Sequence, residues 1–240
     1  TVISKPIGRP TFFVGKYLGL VGSMVVAYYL MFMVFVLAQR HGVLSNSSDP
    51  WDQPVLVFGL GGLFLAVVGG AFANYLRGRH FTTTVLWIAA PMLTFAVLST
   101  TKLDKQFHVV PFLSEFLDPQ ILVAGYLVFL IFLIISAVAL ATSARFGQMV
   151  TLAVCTVVLG LGIVSDGLFG PYEGRSWAGE AAAWVVPNIG PFWIIDGLMA
   201  GNEETAAPFV YVLAVTGYAV LMSIGVLSIG IAMFQRREVG

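Results

Sequence analysis

The chain has 240 residues, 58% of them hydrophobic and 10% charged, with a mean hydropathy of +0.92. Soluble domains carry about 25% charged residues, so most of this surface is built for an apolar surrounding. Twelve Lys and Arg balance twelve Asp and Glu, which excludes an overall basic nucleic-acid binder and an acidic disordered chain.

Residues 1–16 form a short basic segment containing Lys5, Arg9 and Lys16. It does not read as a signal peptide: the apolar run after Lys16 is too long for one, and no small-residue cleavage site follows. Six charge-free runs come next: Tyr17–Ala38, Pro54–Leu76, Thr82–Thr101, Pro119–Ala144, Phe146–Ser165 and Ala206–Gln235. About 20 apolar residues suffice to cross a hydrocarbon core of about 30 Å. The runs have no polar face at helical spacing, so they predict helices surrounded by lipid and by each other. A barrel would need many short strands of alternating polarity. The predicted fold is therefore an all-α, polytopic transmembrane bundle. Residues 17–240 form its membrane domain, behind a 1–16 segment at the membrane surface.

A seventh apolar stretch, Ala181–Ile195, is too short to span, and Pro187, Asn188, Gly190 and Pro191 interrupt it. Two readings fit: a pair of interfacial helices, or a re-entrant hairpin tucked against protein. The second is preferred, with the hairpin placed at about 172–203.

With six spans both ends lie on one side, which collects Lys5, Arg9, Lys16, Arg77, Arg79, Arg145, Arg236 and Arg237. The other side holds Arg40, Lys102, Lys105 and Arg175. This asymmetry makes the first side cytoplasmic. Among the acids only Glu238 falls inside, and the other eleven, Asp52 and Asp104 among them, fall outside. The zero net charge is thus a cancellation across the membrane.

Little in the sequence points to chemistry. His41, His80 and His108 sit in loops or at span ends, away from where two histidines would hold a haem. No ionisable residue falls at the middle of a run, which disfavours an ion-coupled transporter; Asp166 comes nearest. Gly59, Gly61, Gly62, Gly69 and Gly70 lie inside an apolar run without a following Lys-Ser/Thr, so they read as helix-packing residues rather than a phosphate loop. Cys155 reads as buried packing. Asn74 reads as a hydrogen bond between helices, and Asn46-Ser47-Ser48 matches a common glycosylation pattern. No catalytic set, metal cluster or cofactor site is expected, so any energy input must come from a partner.

Two regions are more specific. At the N-terminus Ile3, Ser4, Lys5, Pro6, Arg9, Phe12, Gly15, Lys16, Tyr17 and Gly19 stand in a recurrent pattern. In the C-terminal half, Ser143–Gly147 opens the fifth run and Gly162–Asp166 closes it. Pro187-Asn188 through Phe192, Trp193 and Asp196 follow, then the tail Phe234–Gly240. In this order the chain resembles the permeases of ABC exporters whose ATPase is a separate chain, including the type used in nitrous-oxide-reductase maturation. The family's segment normally follows two earlier spans, so the resemblance implies about two more helices before Thr1.

The resemblance further implies a non-enzymatic permease of the bacterial cytoplasmic membrane, with both ends of this chain cytoplasmic, working by alternating access. Its partners would be a nucleotide-binding ATPase, which carries the ATP and Mg, and a second permease half. Lys5, Arg9 and Lys16 would meet the ATPase, with Pro6 and Gly8 shaping the turn. Asp166, Pro187, Asn188, Trp193 and Asp196 would form an outer gate or substrate path. Trp193 reads equally as an interfacial anchor, and Asp196 as a water-facing cap. Rival readings are a non-catalytic subunit of a larger membrane complex and a passive channel or scramblase.

Overall fold

A computed structural model describes residues 8–42, 50–111, 119–169, 186–194 and 208–235, without the side chains of Arg9, Pro119, Asp166 and Phe169. In chain order the helices are α1 (Arg9–His41), a π-helical segment (Val55–Leu60) running into α2 (Gly61–Arg77), α3 (Phe81–Thr100), α4 (Pro119–Ser143), α5 (Gln148–Ile163), the short α6 (Ser165–Phe169), a 3₁₀ turn (Gly190–Phe192) and α7 (Phe209–Gln235). Among the described residues there is no extended strand; Leu103 and Val109 form a lone antiparallel bridge. Among the described residues five helices are long and apolar enough to cross a membrane: Pro10–His41, Val55–Arg77, Phe81–Thr100, Gln120–Ser143 and Phe209–Gln235. The chain is an all-helical protein of membrane type.

The fifth apolar run behaves differently. Its helix, α5, has 16 residues and spans about 24 Å at 1.5 Å per residue. Phe146 and Gly147 are drawn into the turn from α4. At the far end, the Gly162 carbonyl accepts the Ile189 amide at 3.0 Å and the Ser165 hydroxyl at 2.9 Å. That carbonyl is committed outside the helix, and α5 stops at Val164.

The chain divides into two compact units, residues 1–23 with 119–240 and residues 24–118. In the first, α4 packs along α7 and against α5. Leu127, Leu130, Ile131 and Ile134 of α4 meet Val215 and Ala219 of α7, together with Ile189 and Phe192. Of the five long helices α4 is the most buried.

In the second unit, α2 and α3 are joined by a tight turn. Gly78 takes φ +62, and its N–H and that of Arg79 return to the Asn74 and Ala73 carbonyls, the left-handed ending that glycine favours. The Asn74 side chain donates to the Arg79 carbonyl at 2.7 Å. Asn74 therefore ties the turn rather than bridging two helices. The glycine-rich face of α2 does pack closely: a Cβ on Gly62 would lie 3.2 Å from Met92 Cβ. The core is Val36 and Leu37 of α1 with Val55, Leu93, Ala96 and Val97.

Candidate functional site

The N-terminal motif lies where α1 begins. Pro10 occupies an early helical position, where its missing N–H costs nothing, and the Gly8 carbonyl accepts the Phe12 N–H at 3.0 Å. Phe13 is buried against Leu140 of α4 and Ala144 just after it, and its ring lies 5.9 Å from that of Phe234 near the end of α7. A Cβ on Gly230 would come within 2.7 Å of Phe13 Cζ and 2.9 Å of the Ala141 backbone, so only glycine admits the ring there. Tyr17 donates its hydroxyl to the Leu133 carbonyl at 3.1 Å. Phe13 and Tyr17 thus wedge the start of α1 between α4 and α7. Gly8 and Lys16 are exposed, as is Arg145 in the α4–α5 turn. Arg9 opens the helix; Lys5 and Pro6 lie outside the described residues.

Part of the expected outer gate is assembled in the same unit. Pro187 and Ile189 are buried, and Phe192 is fully so. The Asn188 N–H donates to the Tyr218 hydroxyl at 2.9 Å, and Asn188 Oδ1 accepts the Gly190 N–H at 2.9 Å. The Tyr211 hydroxyl donates to the Pro191 carbonyl at 2.6 Å. A Cβ on Gly162 would lie 2.6 Å from the Pro187 carbonyl oxygen, so the end of α5 touches this segment backbone to backbone. Trp193 is about half exposed. Asp166 belongs to α6 without a described side chain, and Asp196 lies outside the described residues. Of the predicted hairpin, residues 186–194 are described; they turn against α4, α5 and α7 rather than continuing a helix. Tyr211 and Tyr218 were not among the expected site residues. Their seven-residue spacing, two helical turns on one face, is the signal that marks them.

The second unit holds a group absent from the sequence reading. Arg40, in the last turn of α1, donates from Nε to Asp52 Oδ2 at 2.9 Å, and the two side chains are 4% and 0% exposed. Arg40 Nη2 also donates to the Leu103 carbonyl. Asp52 Oδ1 accepts the Val55 N–H at 3.0 Å, capping the π-helical segment as acids do at helix starts. By sequence both charges are expected on the outer side and are not paired. An Asp three residues before a helical run was the legible half; its partner was not.

The loop after α3 is held by Asp104. Its Oδ1 accepts the Gln106 and His108 amides, both at 2.8 Å, and its Oδ2 lies 2.9 Å from His108 Nδ1. Desolvation raises the carboxyl, but the His108 side chain and these amides together outweigh it and hold Asp104 below the ordinary carboxylate value. Among the described residues no group of three His, Cys, Asp or Glu could hold a metal ion. Cys155, on α5, is half-buried. Comparison with protein-family models, with curated proteins and with solved structures finds no match to this chain.

Proposed function

We propose that this chain is the membrane-spanning permease subunit of an ATP-driven ABC exporter whose nucleotide-binding ATPase is a separate polypeptide. The carrying observation is the setting of the N-terminal motif. Its basic positions Arg9 and Lys16 belong to one continuous 33-residue helix, about 50 Å long. A bilayer core of about 30 Å accounts for some 20 of these residues, so the helix extends well past the hydrocarbon. Phe13 and Tyr17 clamp its first turns to α4 and α7, so a push on the helix near the exposed Lys16 reaches two spans directly.

In this reading the membrane domain has six spans. The end of unit one that carries Lys16, Arg145 and the terminus of α7 is cytoplasmic, in a bacterial inner membrane. The sixth span is α5, extended by α6, and residues about 172–203 form a re-entrant hairpin whose described part is the Pro187–Trp193 turn. ATP binding draws two nucleotide-binding subunits together, Lys5, Arg9 and Lys16 receive the motion, and Pro6 and Gly8 set the turn that transmits it. A second permease half completes the path. The outer gate is assigned to Pro187, Asn188, Trp193, Asp166 and Asp196; its described turn is held where Tyr218 accepts the Asn188 amide and Tyr211 donates to the Pro191 carbonyl. The chain itself performs no catalysis and holds no cofactor; ATP and Mg stay on the partner.

The test is purification of the chain with its cytoplasmic partners. An ATPase should copurify, and changing Lys5 and Arg9 together to Glu should abolish the association or cut ATPase activity at least tenfold. Unaltered assembly and activity would remove the coupling assignment. Isolation with cofactor-bearing chains and without an ATPase would favour a structural subunit of a larger complex.

A further inference from the structure

The cleft beside the Arg40–Asp52 pair has its own chemistry. It measures about 350 Å³ and is walled by Leu37 of α1, by Val55, Gly59 and Leu60 of the π-helical segment, and by Leu63 of α2, with His41 at its end. That volume falls in the range of small-molecule pockets. Its lining along α1 runs from His41 to Val34, seven residues or about 10 Å, so the polar group stands at one end of an apolar slot. The wider turn of a π-helix is frequent at functional sites. Here it sets Gly59 so close to α1 that a Cβ would lie 3.2 Å from Leu37 Cδ1.

His41 is the one lining residue with a polar side chain. Its Nδ1 is buried and has no hydrogen-bond partner among the described residues. An edge-on contact with Trp51, centroids 6.3 Å apart, holds the ring in place. A buried polar atom left without a partner costs about 1–3 kcal/mol, which a ligand able to pair with it would relieve. Arg40 does not line the cleft and its charge is met by Asp52, so although its Nη1 also has no hydrogen-bond partner among the described residues, the lining itself calls for no net charge. A hydroxyl both donates and accepts, so it pairs with an imidazole nitrogen in either tautomer.

The geometry points to a binding site for a neutral amphiphile with a hydroxyl head and an apolar chain, the hydroxyl on His41 Nδ1 and the chain lying along α1 toward Val34. Two sources carry such a hydroxyl, a free long-chain alcohol and a membrane lipid such as diacylglycerol. The site needs no ATPase and does not depend on the permease reading.

The test uses the full chain in phosphatidylcholine nanodiscs, without partners, labelled by a photoactivatable twelve-carbon alcohol and mapped by mass spectrometry. Labelling should saturate and fall on residues of this slot, and dodecanol should compete while dodecane and dodecyl phosphate do not. His41→Leu should weaken binding about threefold to tenfold, the worth of one hydrogen bond, and His41→Asn should restore most of it. Val34→Trp, at an exposed rim position, should block the slot and serves as the test where His41→Leu does not fold. Competition by diacylglycerol as strong as by dodecanol identifies a membrane lipid as the source; competition by dodecanol alone identifies a free single-chain molecule. Labelling that is unchanged in both variants, or that dodecane suppresses equally, overturns the proposal.

Discussion

Arg40 and Asp52 stand twelve residues apart in the chain and 2.9 Å apart in space, almost wholly shielded from solvent. One closes α1 and the other opens the π-helical start of the next span, so the pair locks two successive helices at one end of their unit. Burying two charges is expensive, and the arrangement holds because each carries a second hydrogen bond, to the Leu103 carbonyl and from the Val55 amide.

Removing one partner should therefore be far worse than removing both. Asp52→Asn can keep the cap on Val55 but leaves the Arg40 charge buried and unpaired, and should lower stability by about 3–5 kcal/mol. Combining it with Arg40→Met should recover most of that loss. Thermal unfolding in nanodiscs measures both; a single variant no less stable than the double would show that the pair does not hold the helices.

Gly162 and Gly160 give a matched comparison on α5. A methyl on Gly162 meets the Pro187 carbonyl, whereas one on Gly160 meets nothing within 4 Å. Gly162→Ala should cost about 1–3 kcal/mol by overpacking and increase the accessibility of a cysteine placed at Pro187. Gly160→Ala should be neutral or stabilising by up to about 1 kcal/mol, from helix propensity alone. Equal melting temperatures for the two variants would contradict the contact between α5 and this turn.

Phe13 and Tyr17 should differ in weight. Phe13→Ala empties a fully packed site and is expected to cost about 3–5 kcal/mol. Tyr17→Phe removes one hydrogen bond in a membrane setting, worth about 0.6 kcal/mol. Chemical denaturation of the two variants checks the order, and a larger loss for Tyr17→Phe would reverse the assignment of what clamps α1.

The Asp104 loop should respond to acid. Its carboxyl titrates below the ordinary carboxylate range because the ionised form receives the His108 and Gln106 hydrogen bonds. The stabilisation is thus complete above the ordinary carboxylate pKa, declines as pH falls toward the depressed value, and is lost below it. Hydrogen exchange at the Gln106 and His108 amides, corrected for intrinsic rates, should show protection at pH 6 that disappears at strongly acid pH and in Asp104→Ala. Protection that survives both would mean the loop is held by other bonds.

Much of this architecture was legible one segment at a time. Long apolar runs place the five long helices because the requirement to bury twenty successive residues in lipid is local and needs no partner. Within the run Phe146–Ser165, composition does not record where the helix stops, because the Gly162 carbonyl is claimed by Ile189, 27 residues further on. Prolines and Asn188 announced that residues 181–195 break, but the tyrosines that hold the break lie on another helix.

Asn74 shows the same division: its polarity inside an apolar run was visible, its choice of the Arg79 carbonyl was not. Hydropathy alone determined that this is a helical protein of membrane type. Only the tertiary structure decided that Arg40 and Asp52 neutralise each other out of solvent, that Phe13 fits where Gly230 has no side chain, and that His41 borders an apolar slot. Such pairings depend on which helices become neighbours, and a one-dimensional pattern of polarity holds no information about distance between runs.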